Sequence, residues 1–503
     1  MLKVRTTKTA SKNTAVQVVL RSEGKTKVVK HIGSARTQTE LDRLLRLAHQ
    51  YIHRENNTSP LFPDFLGVDE QKHLVAIENL KFINAYHKFA YEFLSYFYEL
   101  NNFATLNNSL LKDLAIIRII EPASKIRSIE LLNKYFGIKY SRNRVYRGLQ
   151  KIRELKSEIE KSAVEYAKKN LAFNFSLVFY DVTTLYFETF QDDDFRKCGF
   201  SKDNKVNQPQ ILIALVVNHD GYPIAVETFA GNKFEGHTII PVILKFKETY
   251  NIENLTVVAD AAMLSRNNIK ELEQSGLNYI VAARLSSLSE TLLVRISDYI
   301  NNNEGKYYRK ETPLGLLICD YSEKRAAKNK AERKKQILKA QQQIANPGKI
   351  IKRLRFVKET TKSTYKLNEE LIEKDKRLDG LKGYCTNIKD VSASLIVDRY
   401  KDLWIIEKSF RIAKSDLLAR PIFHHQKEKI EAHVLIVFLS LCVSKTIEML
   451  TGLSIKKARD LIWEILDIEF IDVLTNKRFY RRMESADNEM AEFLKQRKKS
   501  ATY

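Results

Sequence analysis

The sequence predicts an α/β protein: a core built on a mixed β-sheet, interrupted by an inserted domain and flanked by helical N- and C-terminal regions. Three observations lead there. "FSLVFYDV" and "LTVVADAAM" are short apolar runs that read as buried strands, each ending on an aspartate, Asp181 and Asp260. "QILIALVVNHDGYPIAVETFAG" reads as two further strands about the turn Asp220-Gly221. Helical periodicity takes over between and around these runs.

Taken in order, "TAVQVVLRSEGKTKVVKHIG" reads as a hairpin of two β-branched runs about a Glu-Gly turn, and "TELDRLLRLAHQYI" and "HKFAYEFLSYFYEL" as helices. A helical block follows over 108–170, broken at Pro122, with Ser124 able to cap the next helix. Within it, two helices flank Gly137, and Arg142, Arg144 and Arg147 open the second. That is the outline of a helix-turn-helix reading DNA, and equally of an ordinary helical hairpin with a basic face. The middle of the chain then runs strand, strand, strand, helix, strand, helix, strand, the order of ribonuclease-H-like folds. From about Leu285 to Ser394 the pattern changes: "LGLLICDYS" is strand-like, "EKRAAKNKAERKKQILKAQQQIA" is a lysine-rich helix, and sheet-like alternation is expected to return only at "SLIVDRY". A largely buried helix, "EKIEAHVLIVFLSLCVSKTIEML", and a basic tail with "NKRFYRRM" and "KQRKKS" close the chain.

Composition narrows the partners. A chain of 503 residues exceeds one compact core, so several domains are expected. Lys and Arg outnumber Asp and Glu by 84 to 61, a net charge of +23, which favours a polyanion such as nucleic acid. The N-terminus shows no apolar signal segment, and "VLIVFLSLCV" is short for a membrane span, so a soluble, non-secreted protein is expected. The four cysteines are widely spaced, with no CxxC pair, which points away from a disulfide framework or a zinc finger.

The stretch "YKDLWIIEKSFRIAKSDL", Tyr400 to Leu417, sets a glutamate among basic and apolar residues. At helical periodicity Leu403, Ile406, Phe410, Ala413 and Leu417 form one apolar stripe, and Tyr400, Glu407, Arg411 and Lys414 a second beside it. Glu407 and Arg411 make an i,i+4 pair, which would suit a solvated face. Together with Asp181 and Asp260, however, Glu407 completes a set of three hard oxygen ligands on rigid elements. Three converging carboxylates repel one another unless a cation joins them, so such a site implies Mg²⁺ or Mn²⁺. Two such ions about 3.5–4 Å apart suit phosphodiester chemistry.

This stretch, with "RPIFHH" and "EAHVLIVFLSL" after it, resembles the C-terminal catalytic signature of bacterial insertion-sequence transposases of the DDE type, in the branch marked by Tyr-x2-Arg-x3-Glu-x6-Lys. Tyr400, Glu407 and Lys414 match at the required spacing, and Leu403 stands at the arginine position. "FYDVTTLYFE" and "VVADAAMLSRNNI" resemble the segments carrying the family's two aspartates, and "GFSKDNK", "TFAGN" and "EPASK" are similar to further family motifs. The resemblance covers residues from about 110 to 445. It implies that Asp181, Asp260 and Glu407 are catalytic metal ligands on a ribonuclease-H-like core. By the same resemblance Tyr400 and Lys414 contact transposon-end DNA, with Arg411 offered as a substitute for the missing arginine, and Leu403 is expected to pack.

The implied activity is cut-and-paste transposition: binding terminal inverted repeats, hydrolysing phosphodiesters at the ends, and joining the 3′-hydroxyl to target DNA. Implied partners are double-stranded DNA and a second copy of the chain in the synaptic complex, in the bacterial cytoplasm and associated with the nucleoid. The alternatives are a metal-dependent DNA nuclease and a catalytically inactive DNA-binding relative. Expected domains are 1–107 and 108–170, both candidates for end binding, 171–285 as the first part of the core, 286–394 as the inserted domain, 395–445 as the second part of the core and 446–503 as a basic helical region. The run Asp192, Asp193, Asp194 is expected to be a turn, His424, His425 and His433 to pack or meet phosphate, and Glu188, Glu227 and Glu235 to flank the core.

Overall fold

The computed structural model of the protein describes residues 2–10, 13–22, 25–55, 77–200, 207–261, 265–345, 354–361, 364–483 and 488–500. Several motif positions lie outside them: 23–24 in the first hairpin turn, 201–205 of "GFSKDNK", 262–264 after Asp260, and the side chains of 498–500. The strands in chain order are β1 (Leu2–Lys8), β2 (Thr14–Ser22), β3 (Lys25–Ala35), β4 (Leu80–Tyr86), β5 (Leu177–Tyr186), β6 (Gln210–Val217), β7 (Pro223–Ala230) and β8 (Thr256–Ala259). They continue as β9 (Asn278–Ala283), β10 (Tyr308–Thr312), β11 (Gly315–Tyr321), β12 (Val357–Thr361), β13 (Thr364–Leu367), β14 (Leu381–Thr386), β15 (Leu466–Asp472) and β16 (Arg478–Met483).

The chain divides into two compact units. One comprises Met1–Ala90, Tyr135–Gly137 and Leu461–Tyr503. It contains the antiparallel sheet β1-β2-β3, so the expected hairpin has a third strand. Val16, Val18 and Ala35 pack there on Leu44 and Ala48 of the helix Gln38–Glu55. This unit also holds the sheet β16-β15-β4, where Arg43 pairs with the buried Asp472 at 2.9 Å and His87 stacks on Trp463 at 3.5 Å. The C-terminal region was expected to be helical. Helices Ile455–Trp463 and Glu489–Ser500 are there, but between them "LDIEFID", which alternates polar and apolar residues from Leu466 to Phe470, and "RFYRRM", which pairs with it, are strands.

The other unit, Tyr91–Lys134 with Ile138–Asp460, is built on an eight-stranded mixed sheet of order β10-β11-β14-β9-β8-β5-β6-β7. β8 runs parallel to both β5 and β9, and the other neighbours are antiparallel. Every residue of β6 is buried, as its unbroken apolar sequence requires. The helix Lys427–Thr451 is buried along most of its length, and its Ser440 hydroxyl donates to the Ala115 carbonyl of the helix Ser109–Ile120 at 3.0 Å. By length and composition Lys427–Thr451 is apolar enough to cross a membrane, contrary to the shorter run counted in the sequence, yet 78% of its most apolar window is buried in the fold.

Two expectations in this unit change. The segment expected to be an inserted domain supplies β10, β11 and β14 to the same sheet, with the helix Glu323–Ala345 and the β12-β13 hairpin between β11 and β14. Sheet structure therefore returns at "LKGYCT", well before "SLIVDRY", which is part of the helix Ala393–Lys401. Ser392 caps that helix by accepting from the Leu395 N–H at 3.2 Å, which overrides the β-branched content that suggested a strand.

Candidate active site

Asp181 was expected to end its strand, and it does not. β5 continues to Tyr186 because "VTTLY" is β-branched and apolar and pairs with β6 as far as Tyr186 with Gln210. What ends near Asp181 is the parallel ladder to β8, in which Leu177, Val178 and Phe179 pair with Thr256, Val257 and Val258. Two residues further in that register set Asp181 beside Asp260, just past the end of β8. The period of two places both on the face of Phe179 and Val258. Asp181 Oδ1 accepts from the Val182 N–H at 2.7 Å, and both aspartates are half-buried.

Glu407 comes from the helix Trp404–Arg411, which packs on β5 and β6. The apolar stripe is as the periodicity predicts: Leu403, Ile406, Phe410, Ala413 and Leu417 are all buried. The second stripe is not one continuous edge. Tyr400 lies in the last turn of the preceding helix, Ala393–Lys401, before a break at Asp402, and after Arg411 the chain widens into a π-helical turn, Ile412–Asp416, closed by Leu417 N–H to Ile412 O at 3.0 Å. Tyr400 is buried, Lys414 half-buried, and Glu407 and Arg411 exposed. Helix position is fixed from the β6-β7 turn. Ser409 Oγ donates to the Gly221 carbonyl at 3.0 Å, and Gly221, at φ +78°, leaves no room for a Cβ, which would lie 2.2 Å from Ile405 Cγ2.

The Tyr400 phenol is pushed well above its usual range, first by burial and then by the negative charges of Asp260, Asp181 and Glu407. One buried hydroxyl thus feels all three acids, and it stays protonated. Tyr384 packs on Tyr400 with ring centroids 5.0 Å apart, and the Lys382 ammonium lies 4.4 Å from the centre of the Tyr400 ring. The ion pairs of the segment run elsewhere, Lys408 to Glu448 at 2.6 Å and Arg399 to Asp402 at 3.7 Å, and among the described residues none joins Glu407 to Arg411. Among the described residues no three His, Cys, Asp or Glu side chains are close enough to hold a metal ion as placed. In chemistry the donor set fits: three carboxylates are the hard oxygen ligands that Mg²⁺ and Mn²⁺ take, with Asp181 and Asp260 half-buried and Glu407 exposed.

A buried basic network secures the chain just after this helix, and sequence reasoning missed it. Arg118, 4% exposed, donates to the carbonyls of Leu417 at 2.8 Å, Leu418 at 2.9 Å and Ala123 at 3.1 Å, and burial lowers its pKa to about 10. Lys125 Nζ lies 3.2 Å from His433 Nδ1, and His433 Nε2 lies 3.0 Å from the Ala419 carbonyl. A carbonyl only accepts, so Nε2 carries the hydrogen and Nδ1 accepts from Lys125. Burial pushes both groups well below their ordinary pKa. His424 beside them falls to about 4, by burial and then the charges of Lys125 and Lys429. The signal was "EPASK", noticed as a motif without a role for its lysine.

Other candidates resolve into structure. Asp193 Oδ1 accepts from the N–H groups of Phe195 and Arg196, and its Oδ2 from Arg196 Nε at 2.7 Å, so the acidic run is a turn. Glu227 pairs with Lys156 at 2.7 Å and Glu188 is exposed. Arg142, Arg144 and Arg147 are exposed on the helix Arg142–Glu154, with Arg144 over the Tyr140 ring at 4.8 Å. All four cysteines are free, Cys198 exposed and the others buried.

Residues 173–443 match the model of the transposase DDE domain. Among solved structures, the cryo-EM structure of the piggyBac transposase synaptic complex with hairpin DNA is similar at 9% identity over 61% of this chain and 57% of that chain, with a TM-score of 0.33. The Mos1 transposase paired-end complex with the left transposon end is similar at 11% identity over 47% of this chain and 66% of that chain, with a TM-score of 0.16. This chain therefore spans less than two thirds of either. No curated protein sequence matches it.

Proposed function

The chain belongs to the transposase DDE domain family, and from that membership we propose that it is a cut-and-paste DNA transposase. It binds terminal inverted repeats, hydrolyses the phosphodiester at each transposon end to free a 3′-hydroxyl, and joins that hydroxyl to target DNA by in-line attack. The observation that carries this reading is that the parallel register of β5 and β8 sets Asp181 beside Asp260, while the helix carrying Glu407 packs on β5. The strand run β7-β6-β5-β8-β9, three antiparallel strands followed by two parallel ones, supports a ribonuclease-H-like core.

Asp181, Asp260 and Glu407 would hold Mg²⁺ or Mn²⁺, which when bound would supply Lewis-acid activation of the attacking oxygen and charge stabilisation of the leaving one. The chain's own groups do the rest. Asp181 and Asp260 are fixed by the sheet, and Glu407 by a helix locked to the β6-β7 turn, so the acids keep their spacing when DNA arrives. Tyr400, protonated throughout the neutral range, donates a hydrogen bond towards a phosphate oxygen. Arg411, exposed one turn beyond Glu407, and Lys414, half-buried in the π-helical turn, supply positive charge to the end DNA. Leu403 is buried and contributes packing. Two ends must be cut and joined together, so the working assembly contains at least two copies on DNA.

The test is incubation of the protein with Mg²⁺, a plasmid target and duplexes taken from the flanks of its own coding sequence. Joined end-target products support transposition. Cleavage without joining identifies a nuclease, and binding without cleavage in Mg²⁺ and Mn²⁺ identifies an inactive DNA-binding relative.

A further inference from the structure

Lys382 belongs to β14, inside the segment expected to be an insertion, and no motif singles it out. It lies opposite Asp320 of β11 in the sheet, yet Asp320 is already engaged by Arg325 at 3.0 Å and by the Tyr384 hydroxyl at 3.1 Å. Among the described residues no carboxylate comes within ion-pair distance of the Lys382 ammonium. Its neighbours are aromatic faces: the centre of the Tyr400 ring at 4.4 Å and that of Tyr384 at 5.8 Å. The two rings pack against each other, which restricts where the ammonium can point. Beside it opens a cavity of about 320 Å³, lined by Arg325, Arg333 and Arg355 and also by Glu332, Asp375 and Asp379.

The sheet thus holds a half-buried cation with no acid of its own against the very tyrosine that feels the three carboxylates. Burial and the Arg325 charge make that ammonium costly, and Asp320 and Glu407 only partly offset them. A group held this way is stabilised by an arriving anion. In the active site described above, the arriving anion is the DNA backbone. We propose that Lys382 is a DNA-binding residue of the active site, gripping a backbone phosphate next to the scissile one and setting that strand against Asp181, Asp260 and Glu407. This rests on the transposase reading. It also gives the segment between β9 and the glutamate helix a direct part in the site: β14 carries the grip.

The experiment compares wild type, Lys382→Met and Lys382→Arg on duplexes from the flanks of the protein's own gene. Affinity is measured as a function of salt and cleavage in Mg²⁺, with methylphosphonate linkages placed one at a time around the cut. Met keeps the apolar stem over Tyr400, and unchanged circular dichroism and melting confirm folding. The expected result is a shallower salt dependence in Lys382→Met, by about one unit of log–log slope. Cleavage falls at least tenfold and is largely restored by Lys382→Arg. One neutral linkage should weaken wild type and leave Lys382→Met indifferent. If wild type cleaves while Lys382→Met keeps its salt slope, its cleavage and its sensitivity to every linkage, Lys382 is a structural cation and the inference is overturned alone. If wild type neither binds nor cuts these duplexes, the transposase reading falls and takes the inference with it.

Discussion

The Ser409 hydroxyl donates to the Gly221 carbonyl at 3.0 Å, tying the helix that carries Glu407 to the turn between β6 and β7. Gly221 has φ +78° and faces Ile405 of the same helix with no space for a Cβ. Gly221→Ala should cost about 1–3 kcal/mol through overcrowding and backbone strain, and should slow cleavage by displacing Glu407. Adding Ile405→Ala relieves the crowding, so the double variant should recover part of the loss and depart from additivity. Urea midpoints and cleavage rates of the single and double variants check this.

Leu403 is a packing residue, 7% exposed. Leu403→Ala should lower stability by about 2–5 kcal/mol and leave the salt dependence of DNA binding unchanged. Lys414→Ala should do the reverse, with stability nearly kept and a shallower salt slope. Parallel unfolding and binding titrations separate the two roles.

Arg118 holds three backbone carbonyls, two just after the segment that carries Glu407 and one before the helix Lys125–Phe136. Arg118→Met should cost about 1–3 kcal/mol for each buried carbonyl left without a donor. Amide exchange should quicken around Leu417 to Ala419, read by mass spectrometry, and be unaltered in β6.

His424 has a pKa of about 4 in the fold against an ordinary value of 6.5. As pH falls below 6.5 the unfolded chain takes up the proton first, so unfolding binds a proton and stability declines down to about pH 4. Above 6.5 the imidazole is neutral in both states and this loss disappears. His424→Gln should therefore flatten the fall in urea midpoint between pH 7 and pH 5, and an equal fall in both proteins would show that His424 is not responsible.

Much of the central sheet was legible, because β5, β6, β7, β8 and β9 are apolar runs closed by turn residues such as Asp220-Gly221. Asp181 was read as the end of the short apolar run "FSLVFYDV", whereas pairing with β6, Asp181 with Leu215 and on to Tyr186 with Gln210, carries β5 through it. β14 was missed because "LKGYCT" is short and contains a glycine, and only its pairing with β9 and β11 makes it a strand. The apolar stripe of Leu403 to Leu417 was correct. The π-helical turn was invisible, since periodicity assumes an unbroken helix. His433 was expected to pack or to meet phosphate, and it is buried; Arg118 and the role of Lys125 escaped notice because charged residues in helices usually face water, and burial is a property of the assembled fold.

The measurement that tests the central claim most directly is the mapping of new 3′ ends made by wild type, Asp181→Asn, Asp260→Asn and Glu407→Gln on duplexes from the gene's own flanks, with and without Mg²⁺. The account predicts Mg²⁺-dependent cuts at the element boundaries by wild type. It predicts a loss of at least a hundredfold in each variant, with DNA binding and melting temperature retained. Cleavage that persists in any one of the three would show that its carboxylate is not part of the site, and would contradict the reading of Asp181, Asp260 and Glu407 as one catalytic set.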